Sequence, residues 1–160
     1  MSNSLTGDVL DVLKPGQGLD LFLTVGNPFR SDDGVGSYLA SFLMDLPVRL
    51  LDAGQTPENI IDEATELKPS RVIILDAADF GGKPGEVRVI SEEAIPETTL
   101  TTHMVPMNVV SRLITESTGA KIIFIGIQPK TVTLGEGLSP EVRQTADEIV
   151  DVIKRNFAHL

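Results

Sequence analysis

Four strand-length apolar runs, separated by stretches with helical periodicity, constrain this chain more than any other feature. LDLFLTVG (19–26), VRLLDAG (48–54), RVIILDA (71–77) and KIIFIGIQ (121–128) are bounded by glycine, proline or polar residues. Several are almost continuously apolar rather than alternating, as strands covered on both faces of a parallel sheet should be. The stretches between them supply the covering helices. In 35–46, Val35, Leu39, Phe42, Leu43 and Leu46 recur at the spacing of one helix face. In TPENIIDEATEL (56–67), Thr56 suits an N-cap, Pro57 the first helical position, and Ile60, Ile61, Ala64 and Leu67 the buried stripe. A helix from Pro106 to Ser117 buries Val110, Leu113 and Ile114. The last, over 140–157, buries Val142, Ala146, Ile149, Val150, Ile153 and Phe157, and a short helix over 5–13 precedes the first strand.

One connection breaks the alternation. Only ADFGGKPG (78–85) separates RVIILDA from the run EVRVIS (86–91), too little chain for a helical crossover of about a dozen residues or more. That strand is therefore antiparallel. The predicted fold class is α/β: a three-layer α/β/α sandwich around a five-stranded mixed, mostly parallel sheet with one antiparallel strand. No repeat, low-complexity tract or linker divides the 160 residues, so a single domain over 1–160 is expected.

Composition removes several classes of function. A net charge of −10 argues against nucleic acid or an anionic membrane surface as partner. With no Trp and 4% aromatics, stacking on bases has little to work with. There is no cysteine, hence no disulfide, thiolate metal site or cysteine nucleophile, which suits a cytoplasmic setting. No apolar run reaches the roughly 20 residues that span a bilayer, so membrane insertion is not expected. The start, MSNSLTGDVLDVLK, lacks a basic segment followed by an apolar one.

In open α/β sheets, ligands bind beyond the carboxyl ends of the parallel strands. The first strand delivers Asn27, Arg30, Asp32 and Asp33, the second Asp52 and Gln55, the third Asp76 and Asp79, and the last Gln128 and Lys130. TTHMVPMN (101–108) adds His103 just ahead of the helix that Pro106 opens; His159, the other histidine, is penultimate and expected to fray. Each candidate also has a plain structural reading. Asp32 or Asp33 suits the N-cap of the helix at 35–46, Asp76 a strand-end carboxylate, and His103 a hydrogen-bonded residue before a helix. Two carboxylates and an imidazole together suit a borderline divalent metal such as nickel, zinc, manganese or iron. Three protein ligands leave coordination positions open, as catalytic sites require.

Competing motifs are absent. The glycines of SDDGVGSYL precede no Lys-Ser/Thr, so this is no Walker A loop, and GVGSYL carries only half of G-x-G-x-x-G behind carboxylates that repel a pyrophosphate. Neither a G-x-S-x-G elbow nor H-E-x-x-H occurs.

VGNPFRSDDGVG, DAGQTPENI, VIILDAADFGGKPGEVRVI, TTHMVPMNVV and IFIGIQPK resemble, in order and spacing, the NiFe-hydrogenase maturation endopeptidases. The likeness covers roughly 20–155 and is greatest to the branch that processes the large subunit of hydrogenase 3, the formate-hydrogenlyase type. The resemblance implies a cytoplasmic protease that removes the C-terminal extension of the hydrogenase large-subunit precursor once nickel is inserted. It implies that Asp33, Asp76 and His103 are the catalytic and metal-contacting side chains. Nickel would be carried by the substrate rather than permanently bound, with other divalent cations able to substitute. Asn27 and Gly34 match the family loop, whereas residues 1–18 exceed members that begin near their first strand. Within the acidic pair, Asp32 is then read as loop and helix-start structure and Asp33 as the ligand. A monomer is expected. Two other classes stay open: a hydrolase with its own permanently bound metal, and a non-catalytic nickel-checking module that only binds the large subunit.

Overall fold

A computed structural model of the chain describes residues 5–95 and 106–158. Its five strands are β1 (Asp20–Val25), β2 (Arg49–Gly54), β3 (Arg71–Ala77), β4 (Val87–Ile90) and β5 (Lys121–Ile127). They form one sheet in the order β2-β1-β3-β5-β4. β1 pairs in parallel with β2 and β3, and β3 in parallel with β5. β4 runs antiparallel on β5, from Val87 opposite Ile127 to Ile90 opposite Phe124, as the short connection demands. The mixed α/β sandwich expected from the sequence is the fold observed.

The helices are α1 (Gly7–Val12), α2 (Val35–Leu43), α3 (Ile61–Leu67), α4 (Met107–Thr118) and α5 (Pro140–Phe157). Strand side chains alternate between two cores. Phe22, Ile73, Leu75, Ile123 and Ile125 face α1, α2 and α5, while Leu21, Leu23, Val72, Ile74 and Phe124 face α3 and α4. All six residues of β1 are buried, whereas β2, at an edge, keeps only Ala53 buried. The Phe157 ring meets Phe22 edge-on at 5.4 Å, fixing the end of α5 on the sheet.

Three sequence expectations are corrected. α2 stops at Leu43, and Phe42 projects outward against the Tyr38 ring at 5.0 Å instead of into the core. Thr56 makes no side-chain cap; its hydroxyl accepts from the Asn59 amide at 3.2 Å, and Pro57–Ile60 is a 3-10 turn ahead of α3. On α4, Leu113 is 40% exposed and Ser111 takes the inward position, because the helix is rotated slightly from the stripe read in sequence.

Candidate functional site

The chain leaves β1 through α2 to one side, and from β2 crosses through α3 back over β1 to β3. Connections after β1 and β3 therefore diverge, which opens a crevice beyond their carboxyl ends. Asp33 follows β1 and is fully buried; Asp76, the penultimate residue of β3, is 1% exposed. Along β3, Leu75 and Ala77 belong to the core under α2 and α5, so Asp76 lies on the opposite face, the one covered by α3 and α4. Its partner in register on β5 is Gly126.

The glycines around the first loop are there for close packing, not to cradle a phosphate. A Cβ on Gly36, in the first turn of α2, would lie 2.0 Å from the Val25 carbonyl oxygen, and one on Gly26 would lie 2.4 Å from the Asp33 carbonyl oxygen. Strand end, acidic turn and helix start thus touch backbone to backbone. The turn is closed by Asn27 N–H donating to the Asp33 carbonyl (2.9 Å) and Asp33 N–H to that of Arg30 (3.1 Å). The Asn27 side-chain oxygen accepts from Phe29 N–H at 2.9 Å, an Asx turn that starts the loop. Ser31 adopts a left-handed φ of 53°, re-aiming the chain so that Ser31–Gly34 forms a 3-10 turn leading into α2.

The adjacent aspartates take separate roles. Asp32 is fully buried, and its carboxylate accepts from Lys130 N–H (2.8 Å), Thr131 N–H (3.2 Å), Ser139 N–H (2.7 Å) and the Ser139 hydroxyl (2.9 Å). It does not cap α2, whose N-cap is Gly34 without a side-chain bond. The helix start that it supports is that of α5, immediately after Ser139. None of these four bonds involves Asp33, which sits beside the crevice as the next residue of the turn.

The remaining edge residues fill structural roles. Asp52 accepts from the Thr24 hydroxyl (3.0 Å) and Gly54 N–H (3.3 Å). Buried Gln128 holds the loop after β3: its oxygen accepts from Phe80 N–H (2.9 Å) and Gly82 N–H (3.1 Å), and its amide donates to Asp79 (3.1 Å). The Gln128 amide, with Gly81 N–H, holds the Asp79 carboxyl below its ordinary value. Lys130 pairs with Glu141 at 3.1 Å. Gln55 is exposed.

His103 lies outside the described residues, as does His159. Among the described residues, no three His, Cys, Asp or Glu side chains form a metal-holding group. The helix after His103 nevertheless opens at this crevice. α4 runs 12 residues, about 18 Å at the α-helical rise, and ends by feeding β5, whose Lys121 N–H donates to Ser70 at the far edge of the sheet. Its N-terminus must then lie at the carboxyl edge, on the face that carries Asp76. Three residues escaped the sequence reading. Thr131 and Ser139 bind Asp32 from a polar loop with no distinctive pattern, and Ser111, fully buried on α4, has a hydroxyl with no hydrogen-bond partner among the described residues. A groove of about 1170 Å³ follows the outer face of α5 from Leu138 to Arg155, and neither crevice carboxylate lines it.

Comparison with known proteins shows the family. The family model described as hydrogenase maturation protease (HycI) matches residues 35–156. The hydrogenase 3 maturation protease of Escherichia coli K12 is 36% identical over 134 residues, covering 81% of this chain and 85% of that protein. The crystal structure of the NiFe hydrogenase maturation protease HycI from Thermococcus kodakarensis superposes with a TM-score of 0.81 at 29% identity, covering 95% of this chain and 99% of that one. The solution structure of the endopeptidase HycI from E. coli gives 0.76 at 35% identity, over 83% of this chain and 87% of that one. With that family model matched over most of the chain and a 36% identical relative covering 81% of it, the chain is a member of the hydrogenase maturation proteases, an endopeptidase.

Proposed function

We propose that this endopeptidase removes the C-terminal extension of a NiFe-hydrogenase large-subunit precursor after nickel insertion, and that Asp33, Asp76 and His103 contact the nickel that the substrate carries. The observation that carries this reading is the placement of two buried carboxylates, Asp33 and Asp76, beside one crevice at the strand-order reversal. Oxygen donors with one imidazole fit a borderline divalent ion. Family membership supports the peptide bond as the target.

Amide hydrolysis needs a polarised carbonyl, an activated water and a protonated leaving amine. A divalent ion supplies polarisation and lowers the pKa of water. If that ion is part of the substrate, an empty precursor lacks the electrophile that would polarise the scissile carbonyl and is not cut. Two divisions of labour fit the same side chains: all three position the metal-bearing peptide, or one carboxylate serves as general base while the others hold the metal. The enzyme is read as a cytoplasmic monomer; no described helix is long and apolar enough to cross a membrane.

The test is the intact mass of a large-subunit precursor, nickel-loaded and nickel-free, after incubation with the protein. Loss of a discrete C-terminal peptide from the loaded form alone is expected. Cleavage of both forms removes the nickel requirement; a stable complex with no mass change in either favours a binding module. Activity on a small substrate, with metal retained through chelator-free purification, favours a hydrolase with a resident ion.

A further inference from the structure

The latch around Asp32 joins the loop after β1 to the loop ahead of α5, and on those joined loops stand two large apolar side chains that the core does not use. Phe29 is 59% exposed and Leu134 79%. Arg30 and Gly135 form a parallel β-bridge. Gly135 N–H donates to the Phe29 carbonyl (2.9 Å), and Ser31 N–H donates to the Gly135 carbonyl (2.8 Å). The Ser31 hydroxyl adds a bond to the Thr133 carbonyl at 2.8 Å. Residues in register across a parallel pair project from the same face, with backbones about 4.8 Å apart. Phe29 and Leu134, each one residue before the bridge, are opposite each other in its register. Phe29 is also tied from its own N–H to Asn27, so the pair is held by backbone bonds rather than by packing.

We propose that Phe29 and Leu134 are specificity-determining residues: a preformed platform that takes a bulky apolar side chain of the polypeptide substrate next to the bond that is cut. The proposal rests on the crevice being the cleavage site. Unlike the isolated Met44, these two exposed apolar groups share one rigid rim, the setting of a contact surface. Rigid presentation lowers the entropy lost on docking. Position selects the occupant. Asp33 closes the same turn that carries Phe29, through its bonds to Asn27 and Arg30, so the platform is the continuous rim of the crevice, and a polypeptide laid across the carboxylates must run over it. The exposed pair is a phenyl ring and a branched aliphatic group, so an apolar side chain is the chemistry that the rim accepts.

The test compares four full-length forms: wild type, Phe29→Ser with Leu134→Ser, Phe29→Leu with Leu134→Met, and Met44→Ser. Met44, 69% exposed just past α2, is the control. Affinity for nickel-free precursor and steady-state cleavage of loaded precursor are both measured. The double serine form should lose at least about tenfold in affinity and KM, as truncated apolar anchors do, with kcat within about twofold. The Leu/Met form should recover most of the loss, and Met44→Ser should match wild type. Should the serine pair lower the melting temperature, Leu134→Ser alone carries the comparison. Equal affinity in wild type and serine form overturns the platform whether or not the chain cuts. A fall in kcat at unchanged KM also overturns it, since the residues would then only shape the turn around Asp33. Platform-dependent binding without cleavage keeps the platform and removes the processing function; no binding of precursor removes both.

Discussion

Asp32 and Asp33 are the same residue type, adjacent and equally buried, yet their surroundings give them different chemistry. Asp32 is saturated by four donors from one loop. Replacing it by Asn turns an acceptor oxygen into a donor facing N–H groups, which should cost about 2–4 kcal/mol, visible as a melting point lower by about 5–15 °C. Its activity, per folded molecule, should fall less than that of Asp33→Asn. Equal losses would reverse the division within the pair. Asp33→Asn, Asp76→Asn and His103→Ala should each reduce precursor processing by at least about a hundredfold, as loss of a metal contact does, while keeping a cooperative thermal transition. Retained cleavage in any one removes that residue from the site. The glycines are testable the same way. Gly36→Ala sets a methyl 2.0 Å from the Val25 carbonyl oxygen, and chemical denaturation should register a loss of roughly 2–4 kcal/mol from overpacking.

At the scale of elements, the crevice is bounded by loops fastened to one another more than to the core. Gln128 fastens the loop after β3, and Asp79 helps to hold Gln128. Because the folded pKa of Asp79 is lowered from 3.8, its contribution is full above that value and is lost as pH falls through the lowered one. Tyr38 has the opposite sign. Its hydroxyl donates to Asp147, which raises its pKa above 10.0, so its contribution is full below that value and is lost as pH rises through the raised one. The protection factors of the Phe80 and Gly82 amides should thus stay flat through neutral pH and fall only below 3.8. Protection that is already lost as pH falls near 6 would assign the loop's stability to another group. Gln128→Ala should abolish the protection of both amides at any pH.

Across the whole molecule, the two cores divide the labour. The layer of α1, α2 and α5 carries stability, including Leu5, Val9 and Leu13 from the N-terminal segment, with Asn156 donating to the Leu13 carbonyl at 3.0 Å. The layer of α3 and α4 covers the face that holds Asp76. Leu13→Ala should therefore cost about 2–5 kcal/mol from its cavity yet leave cleavage per folded molecule unchanged. A matching loss of kcat in protein still fully folded at the assay temperature would couple the two layers. Residues 5–13 are accordingly structural: they pack on the layer of α2 and α5, near β4, rather than at the crevice.

The sequence by itself determined the elements, the antiparallel β4 and the edge where acidic residues gather. Each of these is local: apolar period, run length and connection length act within a few residues. Only the tertiary structure decided what depends on contacts distant in the chain. The strand order placed the loops after β1 and β3 beside one crevice. The partners of Asp32 stand about a hundred positions away, at Lys130, Thr131 and Ser139, so nothing near Asp32 distinguishes it from Asp33. Phe42 and Leu113 keep helical spacing but face solvent, because a stripe fixes a helix's face only to within a residue or so, and packing settles the rotation. The latch that brings Phe29 beside Leu134 pairs two loops without periodicity, and such pairing exists only once the sheet has brought their ends together.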